Sequence, residues 1–332
     1  MKTSFIVSRI FFRVYFIGLF CLFFETGAFS QQAVQFSQYI FNGLILNPAY
    51  SGYKESTNAH LIYRTQWTGL NGAPTTTSFT LDGVSKSFNH GFGAEIVQDK
   101  LGAQSNLQVD ISYAYRLRIN EASRLSFGFS AGITQYKLDG SQLSTYDPSE
   151  NLTSQTRNTI HPDLGFGLFY ATDRYFIGLS ATGLLSNSFQ QDPTYFIIQP
   201  TRYYYLTWGA LFEITDQISF KPSLLLKDDL KGPLNVDFNS FFLFNEKLWV
   251  GGSYRTGYNI PGLNSQLQNH LSINDAASFL VEYYINPTLR IGYAFDYSFN
   301  NLQTVSSGSH ELSVGLQLSN WYHHRLQNPR LF

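Results

Sequence analysis

The sequence predicts an all-β fold, a closed antiparallel transmembrane β-barrel of about 14 strands with an N-terminal arm and a short C-terminal periplasmic tail. Three observations lead to this prediction. Apolar residues alternate with polar or small ones in many successive segments, the composition is poor in charge and rich in aromatic residues, and tight turns alternate with longer loops along the chain.

The stretch 276–299 illustrates the alternation. From Leu289 to Phe299, every second residue is Leu, Ile, Tyr or Phe, and the residues between them are Arg, Gly, Ala, Asp and Ser. Successive side chains of a strand point to opposite faces, so one face is apolar and the other is small or charged. The segment before Asn286 follows the same pattern. Pro287 fixes φ and lacks an N–H, which predicts a tight reversal between two paired strands.

The composition fits a barrel better than other membrane or soluble classes. Charged residues make up 14% of the 332 residues, aromatic residues 17%, and the mean hydropathy is −0.14. A soluble domain is roughly 25% charged, whereas a helical membrane protein would be far more apolar. In a barrel, lipid-facing and lumen-facing residues average to a modest hydropathy. The alternative is a large soluble all-β protein, whose apolar strand faces would form a core.

Residues 1–30 are predicted to be a secretory signal peptide. A basic start is followed by an apolar run over 14–24, and small residues at positions 28 and 30 precede Gln31. A membrane anchor is the alternative, but the run is shorter than the roughly 18–20 residues that span a bilayer. The only cysteine, Cys21, lies in this segment, so the mature chain is expected to contain no disulfide or reactive thiol. Without these 30 residues the net charge is −3, and no basic excess indicates nucleic acid.

Residues 31–54 lack the alternation of apolar and polar residues that is typical of a strand. Phe36, Tyr39 and Leu44 indicate a short amphipathic helix, which the run 47–52 would end. Two interpretations remain open, an ordinary arm packed against the barrel and a plug or docking segment. The predicted organisation is signal peptide, arm or plug, barrel and periplasmic tail, over residues 1–30, 31–54, 55–319 and 320–332.

Fourteen alternating segments follow the arm. Their approximate limits are 56–66, 75–84, 91–99, 106–118, 123–137, 162–172, 174–184, 202–214, 217–227, 233–244, 247–257, 271–285, 288–299 and 309–319. Tight connections alternate with the connections 67–74, 100–105, 138–161, 185–201, 228–232, 258–270 and 300–308. Short turns on one rim and long loops on the other are typical of an outer-membrane barrel whose short side faces the periplasm. An even strand count then places both termini in the periplasm.

The predicted lumen contains charges of both signs. The inward positions hold Glu95, Asp110, Arg116, Arg118, Lys221, Arg255, Glu282, Arg290, Asp296 and Glu311. Arg or Lys on the lipid face at mid-membrane costs about 2–4 kcal/mol, and pointing inward removes that cost. We expect these groups to pair across the lumen. They form either a structural network that fills the interior or the lining of a selective ion or solute path.

No metal or cofactor site is predicted. None of the seven histidines forms a ligand pair at helical spacing, and the adjacent His323 and His324 would point to opposite faces of a strand. The loop acids Asp147, Glu150 and Asp163 do not have the spacing of a calcium-binding loop, so solvated acids are the better interpretation.

No catalytic motif is present either. The chain contains no G-x-S-x-G elbow, no H-E-x-x-H and no Walker loop. A Ser–His dyad assembled from distant strands stays open, with His60, Ser112 and Ser253 as its candidate members.

Several short motifs resemble the PorP/SprF family of type IX secretion system membrane proteins. They cover essentially the whole mature chain, and the N-terminal block is the most specific. The motifs are 35–39 (QFSQY), 47–52 (NPAYSG), 63–67 (YRTQW), 72–76 (GAPTT), 91–93 (GFG), 99–102 (DKLG), 113–115 (YAY), 308–311 (GSHE) and 328–332 (NPRLF). The chain departs from the family at Asn42-Gly43, where Asn-Pro is more frequent, and we expect a relaxed turn there.

The resemblance implies an outer-membrane barrel without enzymatic activity or cofactor. Members serve type IX secretion, some with periplasmic core components and others by exporting or holding the C-terminal domain of a secreted adhesin used in gliding. The expected partners are therefore outer-membrane lipid, a cargo domain at the long loops and periplasmic components at the arm and tail. The candidate partner-contact residues are Phe36, Tyr39, Asn47, Pro48, Tyr50, Pro329, Arg330 and Phe332. A passive diffusion porin and, behind it, an outer-membrane hydrolase are the alternatives.

Overall fold

The computed structural model describes residues 35–142, 156–189, 199–258, 276–299 and 306–318. By its contacts the chain divides into Met1–Ser30 and Gln31–Phe332, and every described residue belongs to the second unit. The strands of that unit are β1 (Thr57–Thr65), β2 (Thr75–Val84), β3 (His90–Leu101), β4 (Gln104–Arg118), β5 (Arg124–Asp139), β6 (Thr156–Ala171), β7 (Tyr175–Thr182), β8 (Tyr203–Ala210), β9 (Phe212–Thr215), β10 (Ile218–Asp228), β11 (Leu234–Phe244), β12 (Leu248–Tyr258), β13 (Ala276–Tyr284), β14 (Leu289–Ser298) and β15 (Ser309–Leu318).

The strands form one antiparallel sheet that closes on itself. β1 pairs with both β2 and β15, and β10 pairs with β11 on one side. On its other side β10 pairs with both β8 and β9. Ser223 lies opposite Gly209 and Phe220 opposite Phe212, which is one continuous register, so β8 and β9 together occupy one strand position in the barrel. Counted in this way, the described residues form a closed fourteen-stranded barrel, which confirms the predicted fold class. Closure leaves no strand edge whose backbone would face lipid unpaired.

The two faces of the wall differ as the alternation predicts. On β1, Leu61 and Tyr63 are 44% and 49% exposed on the outer face, whereas His60, Ile62 and Arg64 between them are at most 3% exposed. The same exposed apolar face continues around the ring. A two-sheet sandwich would bury this face as its core, so the exposed aromatic and aliphatic rows exclude that alternative.

The connections sort onto two rims. The short-turn rim carries 85–89, 119–123, 172–174, 216–217, 245–247 and 285–288, together with the start of β1 and the end of β15. The opposite rim, here called the long-connection rim, carries 66–74, 140–155, 183–202, 229–233, 259–275 and 299–308. One predicted loop is wrong. Residues 100–105 largely continue β3 and β4, which join through Gly102 and Ala103 alone, and Gly102 has the positive φ of 56° that such a reversal requires.

The wall is taller on one side than the sequence predicted. β5 runs to Asp139 and β6 already begins at Thr156, so both have 16 residues, whereas β7 has eight. The predicted loop 138–161 is therefore shorter at both ends, and 143–155 lies outside the described residues.

Residues 35–54 lie inside the barrel and, together with the adjoining Glu55, which bonds to Arg116 of the wall, are called the plug below. They form three short 3-10 turns, Gln38–Phe41, Gly43–Ile45 and Pro48–Tyr50, instead of the predicted amphipathic helix. Asn42 has non-helical backbone angles and separates the first two turns, and Asn47 caps the third, where Pro48 occupies the first position. Within the described residues, no helix has the length and apolar character needed to span a membrane.

We predict that Ile111→Arg lowers the free energy of unfolding by about 2–4 kcal/mol in lipid vesicles, because Ile111 lies midway along the outer face of β4 and is 66% exposed there. Ile119→Arg is the matched control. That residue follows β4 at the short-turn rim, so the cost should be about 0–1 kcal/mol. Urea titration followed by tryptophan fluorescence measures both. Equal stabilities of the two variants would contradict the assignment of the outer face to lipid.

Candidate functional site

One end of the plug is held by a buried ionic cluster. Arg64 on β1 donates from Nη1 to Asp296 Oδ2 at 2.6 Å and also to Glu311 Oε1. The Ser37 backbone N–H donates to Glu311 Oε1 at 2.7 Å, and Ser37 Oγ donates to Asp296 Oδ1 at 2.6 Å. All four residues are at most 3% exposed. The Gln38 backbone N–H also donates to Glu311 Oε2, at 3.1 Å. The two carboxylates therefore share one guanidinium and three donors from the plug, which compensates the burial of their charge.

A second buried ion pair lies beside this cluster. Arg255 on β12 faces its register partner Asp237 on β11, with Nε–Oδ1 and Nη2–Oδ2 distances that are both 3.0 Å. The Gln35 side chain accepts from the same guanidinium once its amide oxygen is turned toward it. On the neighbouring wall, Asn239 Nδ2 donates to the phenolic oxygen Oη of Tyr39 in the plug, at 2.8 Å. The first plug residues are thus bonded to β11, β12, β14 and β15.

The expectation of ion pairs across the lumen is wrong for these groups. Arg64 and Glu311 are opposite each other on adjacent strands, and Asp296 lies on the next strand along. Glu282 on β13 and Arg290 on β14 form another pair between neighbouring strands, at 3.5 Å. Adjacent strands lie about 4.8 Å apart, which brings register partners within reach, whereas the plug separates the opposite walls.

Three cations of the interior are directed at plug carbonyls. Lys54 Nζ donates to Phe41 O at 3.2 Å and Arg290 Nη2 donates to the same oxygen at 3.5 Å. Lys221 Nζ on β10 donates to Ile40 O at 3.4 Å. These carbonyls end the first 3-10 turn, where backbone oxygens lack a partner within the turn and carry partial negative charge. The cations therefore satisfy backbone acceptors that would otherwise be buried unpaired.

Aromatic packing holds the same part of the plug against the wall. The Phe41 ring packs on Phe241 of β11 and Trp249 of β12, with ring-centroid distances of 5.9 and 6.2 Å. On the other side of the lumen, the Tyr50 ring packs edge-on against Phe169 of β6 at 5.5 Å. Such aromatic contacts each add about 0.5–1.5 kcal/mol beyond the area they bury.

Asn47 joins the plug to the backbone of two strands. Its Nδ2 donates to Leu168 O on β6 at 2.9 Å and to Leu179 O on β7 at 3.2 Å, while its Oδ1 accepts from Ala49 N at 2.9 Å. One side chain therefore caps a turn of the plug and crosslinks it to the wall. A hydrophobic residue of the same size would leave all of these groups unpaired.

Glycines in the wall leave room for this contact. A Cβ on Gly178 would lie 3.0 Å from Asn47 Nδ2, and a Cβ on Gly167 would overlap Asn47 Oδ1. A Cβ on Gly128 of β5 would overlap the backbone of Ala49. The plug backbone touches the wall at these places because the wall has no side chains there.

The other end of the plug meets the wall near the short-turn rim. Glu55 Oε1 lies 3.1 Å from Arg116 Nη2 on β4 and 3.0 Å from Arg124 Nε on β5. The Gly52 N–H donates to Asp82 Oδ2 on β2 at 3.0 Å. The plug is consequently bonded at both ends and in its middle, to strands on every side of the ring.

Three of the predicted lumen charges do not touch the plug in this way. Glu95 and Asp110 are register partners on β3 and β4, both point inward, and Gln108 Nε2 donates to Asp110 Oδ2 at 2.6 Å. Both acids are half-buried, so part of the interior beside them stays open. Arg118 is exposed at the end of β4, where Nε donates to Asn120 O at 3.3 Å, and its placement in the lumen was wrong because the strand has by then reached the rim.

The structure places the predicted partner-contact residues of the arm inside the barrel. All five are buried against the wall or within the plug: Phe36, Tyr39, Asn47, Pro48 and Tyr50. In this state they contact the chain itself, and their contact with a partner stays a prediction. They are buried because an apolar segment finds a wall to pack against inside the ring. The other three predicted residues, Pro329, Arg330 and Phe332, lie outside the described part of the chain.

Among the described residues, no group of three His, Cys, Asp or Glu side chains could hold a metal ion. Within the same residues neither ring nitrogen of His60 has a hydrogen-bond partner, which argues against a dyad with Ser112 or Ser253, and Ser112 instead pairs with Ser51 at 2.8 Å. Asp163 accepts from the Gly183 N–H at 3.0 Å. Asp147 and Glu150 lie outside the described residues.

The model of the type IX secretion system membrane protein PorP/SprF family matches residues 28–316. The chain belongs to this family. The match begins before the plug and ends within β15, so the family model covers both the plug and the wall of this PorP/SprF barrel.

Two solved structures similar to this PorP/SprF barrel are a channel and a transporter. The CymD monoaromatic hydrocarbon channel is 15% identical with a TM-score of 0.51, and the alignment covers 90% of this chain and 96% of that one. The Ralstonia pickettii toluene transporter TbuX is 12% identical with a TM-score of 0.48, over 83% and 93% of the two chains. At such identities the likeness to CymD concerns the fold. No curated protein sequence matches the chain.

Sequence reasoning missed several residues of this PorP/SprF plug–wall interface. Ser37, Lys54 and Glu55 were not singled out, because a polar residue in an arm of unknown location has no predictable partner. The wall sequence did contain a feature that indicates contact with another segment. Gly128 and Gly167 lie at inward positions of long strands, and a glycine within a strand often marks the close approach of another backbone.

We predict that Arg64→Ala lowers the free energy of unfolding by about 3–5 kcal/mol, because Asp296 and Glu311 are left buried without their guanidinium. Arg118→Ala removes the same side chain from an exposed rim and should change stability by less than about 0.5 kcal/mol. Urea titration in detergent compares the two. A stable Arg64→Ala protein would show that the cluster does not hold the plug.

Proposed function

We propose that this barrel is a non-enzymatic outer-membrane component of the type IX secretion system that binds a secreted surface protein or adhesin, exports or anchors it, and contacts the periplasmic secretion core. The observation that carries the proposal is the filled lumen. Family membership supports the secretion role, and a barrel whose interior is occupied by its own chain is suited to binding at its rims.

The plug supports binding over diffusion. It is bonded through Ser37, Asn47 and Glu55 to widely separated parts of the wall, and its aromatic residues fill much of the space between. A diffusion pore needs a continuous polar path whose lining exchanges contacts with the solute. Here many of the inward charges are already paired with each other or with plug carbonyls.

The orientation follows from the two rims. We place the short-turn rim in the periplasm and the long-connection rim at the cell surface, as is usual for outer-membrane barrels. β15 ends at the short-turn rim, so the tail 319–332 would extend into the periplasm, where it is the proposed contact for the secretion core. β1 also begins at the short-turn rim, so the chain enters the wall from the periplasmic side. Before that point the chain lies in the lumen, where Gln35 is next to Arg255.

The proposed surface for cargo is formed by the three longest connections of the long-connection rim. They are 140–155, 183–202 and 259–275. Loops on a rigid scaffold tolerate variation and commonly carry binding specificity, and these three emerge from strands whose ends the wall holds in register. Binding at this rim requires no movement of the plug, so cargo retention and a closed lumen are compatible.

The second candidate is a passive diffusion channel. The observation in its favour is the pair Glu95 and Asp110, which point into the interior without contacting the plug and are only half-buried. A path along β3 and β4 would make such a pore selective for cations. The similar channel structures share the fold with this chain, and that likeness does not favour a channel function here.

We expect that replacing residues 143–155 by a Gly-Ser linker of equal length leaves the barrel folded and lowers retention of the secreted surface protein at least tenfold. The flanking strands β5 and β6 are paired over their whole length and do not need the loop. Co-purification from native outer membranes and surface immunoblotting provide the readout. Replacing 120–122 at the opposite rim is the control, and normal retention in the loop variant would remove the loop from the proposal.

The proteins that co-purify also distinguish the two roles of the family. A secreted adhesin fragment indicates an anchor, and periplasmic ring proteins indicate a core component.

We predict that the purified barrel shows no steady conductance in planar bilayers and that Gly128→Val opens it, because the valine side chain excludes Ala49 and displaces the plug. Gly232→Val is the control. A Cβ there would have 3.6 Å to its nearest neighbour, so the barrel should stay closed. Steady cation-selective current through the unmodified protein would favour the diffusion channel over the proposed function.

A further inference from the structure

The outer face of β3, β4 and β5 changes character within two rows of residues. One row consists of Ile96, Val109 and Ile133, which are register partners on the three strands and are 37–50% exposed. The next row toward the long-connection rim is Gln98, Leu107 and Gln135. The row after that is Lys100, Ser105 and Lys137. Rows are separated by two residues, about 6.6–6.8 Å, so the surface passes from apolar to cationic over about 13 Å.

This change marks the boundary between the hydrocarbon and the headgroups of the bilayer. Residues below it are of the kind that faces acyl chains, and a lysine at the same depth as Val109 would be costly. Lys100 and Lys137 are exposed and lie one row beyond the mixed row. At that depth a bilayer presents phosphates and other polar headgroup atoms.

The two lysines border a concave pocket on this face. Its volume is about 400 Å³, and the residues that define its chemistry are Lys100, Ser105, Leu107, Gln135, Lys137 and Asp139. Leu107 provides an apolar part of the lining, continuous with Val109 on the same face of β4.

The charges of the pocket are available to an anion. Lys100 and Lys137 both flank Ser105, so their backbones are about 10 Å apart across three strands. Within the part of the chain that the structure describes, neither ammonium group forms an ion pair. Asp139 is the one acid in the lining. Its carboxylate accepts from Ser141 Oγ at 2.7 Å and from Gln142 Nε2 at 2.9 Å, so its oxygens are already engaged.

We propose that this pocket binds the phosphate headgroup of a membrane lipid whose acyl chains lie along the apolar rows of β3 to β5. The two ammonium groups bind the phosphate, and Leu107 with the row of Val109 contacts the first methylenes of the chains. The position on the outer wall selects a lipid over a soluble anion, because a ligand here touches acyl-chain and headgroup surfaces at once. The site lies outside the plug, and it borders the first residues of the connection 140–155, from which Gln142 reaches Asp139.

The test compares two lipids that differ only in the phosphate. Dioleoyl phosphatidic acid and dioleoylglycerol are each added to the full-length protein in detergent, and lipid adducts are counted by native mass spectrometry. We expect adducts of phosphatidic acid in marked excess over dioleoylglycerol. In the double variant Lys100→Gln/Lys137→Gln, affinity for phosphatidic acid should fall about 30-fold, since each lysine near a membrane surface contributes about fivefold.

Three controls keep the result interpretable. Lys231→Gln/Lys247→Gln removes the same charge from exposed turns elsewhere in the ring and should leave binding unchanged. Asp139→Asn removes the one acid of the lining and should strengthen binding. The strand content of every variant is checked by circular dichroism, and the outward lysines are not needed for the fold.

Three outcomes would overturn the proposal. Equal adducts with dioleoylglycerol would mean that the phosphate is not recognised. Unchanged affinity in Lys100→Gln/Lys137→Gln would mean that the lysines are not the site. Complete displacement of the lipid by millimolar inorganic phosphate would mean that the pocket binds a soluble anion and that the apolar rows contribute nothing.

Discussion

A ring of fourteen strands encloses more space than the side chains of its own wall can fill. About eight strands enclose a space that wall side chains alone can occupy, whereas larger barrels enclose a cavity or a channel. The wall cannot open to reduce this space, because an unpaired strand edge in lipid would leave backbone groups without partners. The chain meets the constraint with its own residues 35–54, and the remaining features of the interior follow from how that segment is accommodated.

The plug fits inside the ring only if its buried polar groups form hydrogen bonds with the wall. Both the plug and the wall bring backbone groups and charged side chains into the interior, where those groups need partners. Plug N–H groups reach carboxylates at Glu311 and Asp82, and wall cations reach plug carbonyls at Ile40 and Phe41. Inward glycines allow the backbones to touch. Buried charges of this kind contribute little net stability relative to apolar packing, but the loss of one partner strongly lowers the stability of the folded protein. The network therefore specifies one position for the plug.

A closed interior moves the functional surfaces to the outside of the barrel. The loops of the long-connection rim are the proposed site for a secreted protein, and the tail beyond β15 is the proposed site for the periplasmic core. The pocket beside Lys100 and Lys137 is a third surface, on the lateral wall. It depends only on the height of β3 to β6 and on the depth at which their outer face turns from apolar to cationic. The pocket borders the start of the connection 140–155, whereas the tail lies at the opposite rim.

The strand count and the approximate position of most strands could be predicted from the amino-acid sequence, because period-two alternation is a local property that a strand such as 75–84 carries within itself. The strand ends could not, as the extension of β6 to Thr156 shows. The location of residues 35–54 could not, since an apolar arm packs equally well against any apolar wall until closure creates a space for it. The partners of Arg64 and Glu282 were equally inaccessible. The partner of Arg64 depends on ring closure, because Glu311 becomes its neighbour only when the first strand meets the last. The partner of Glu282 depends on the register within the hairpin of β13 and β14.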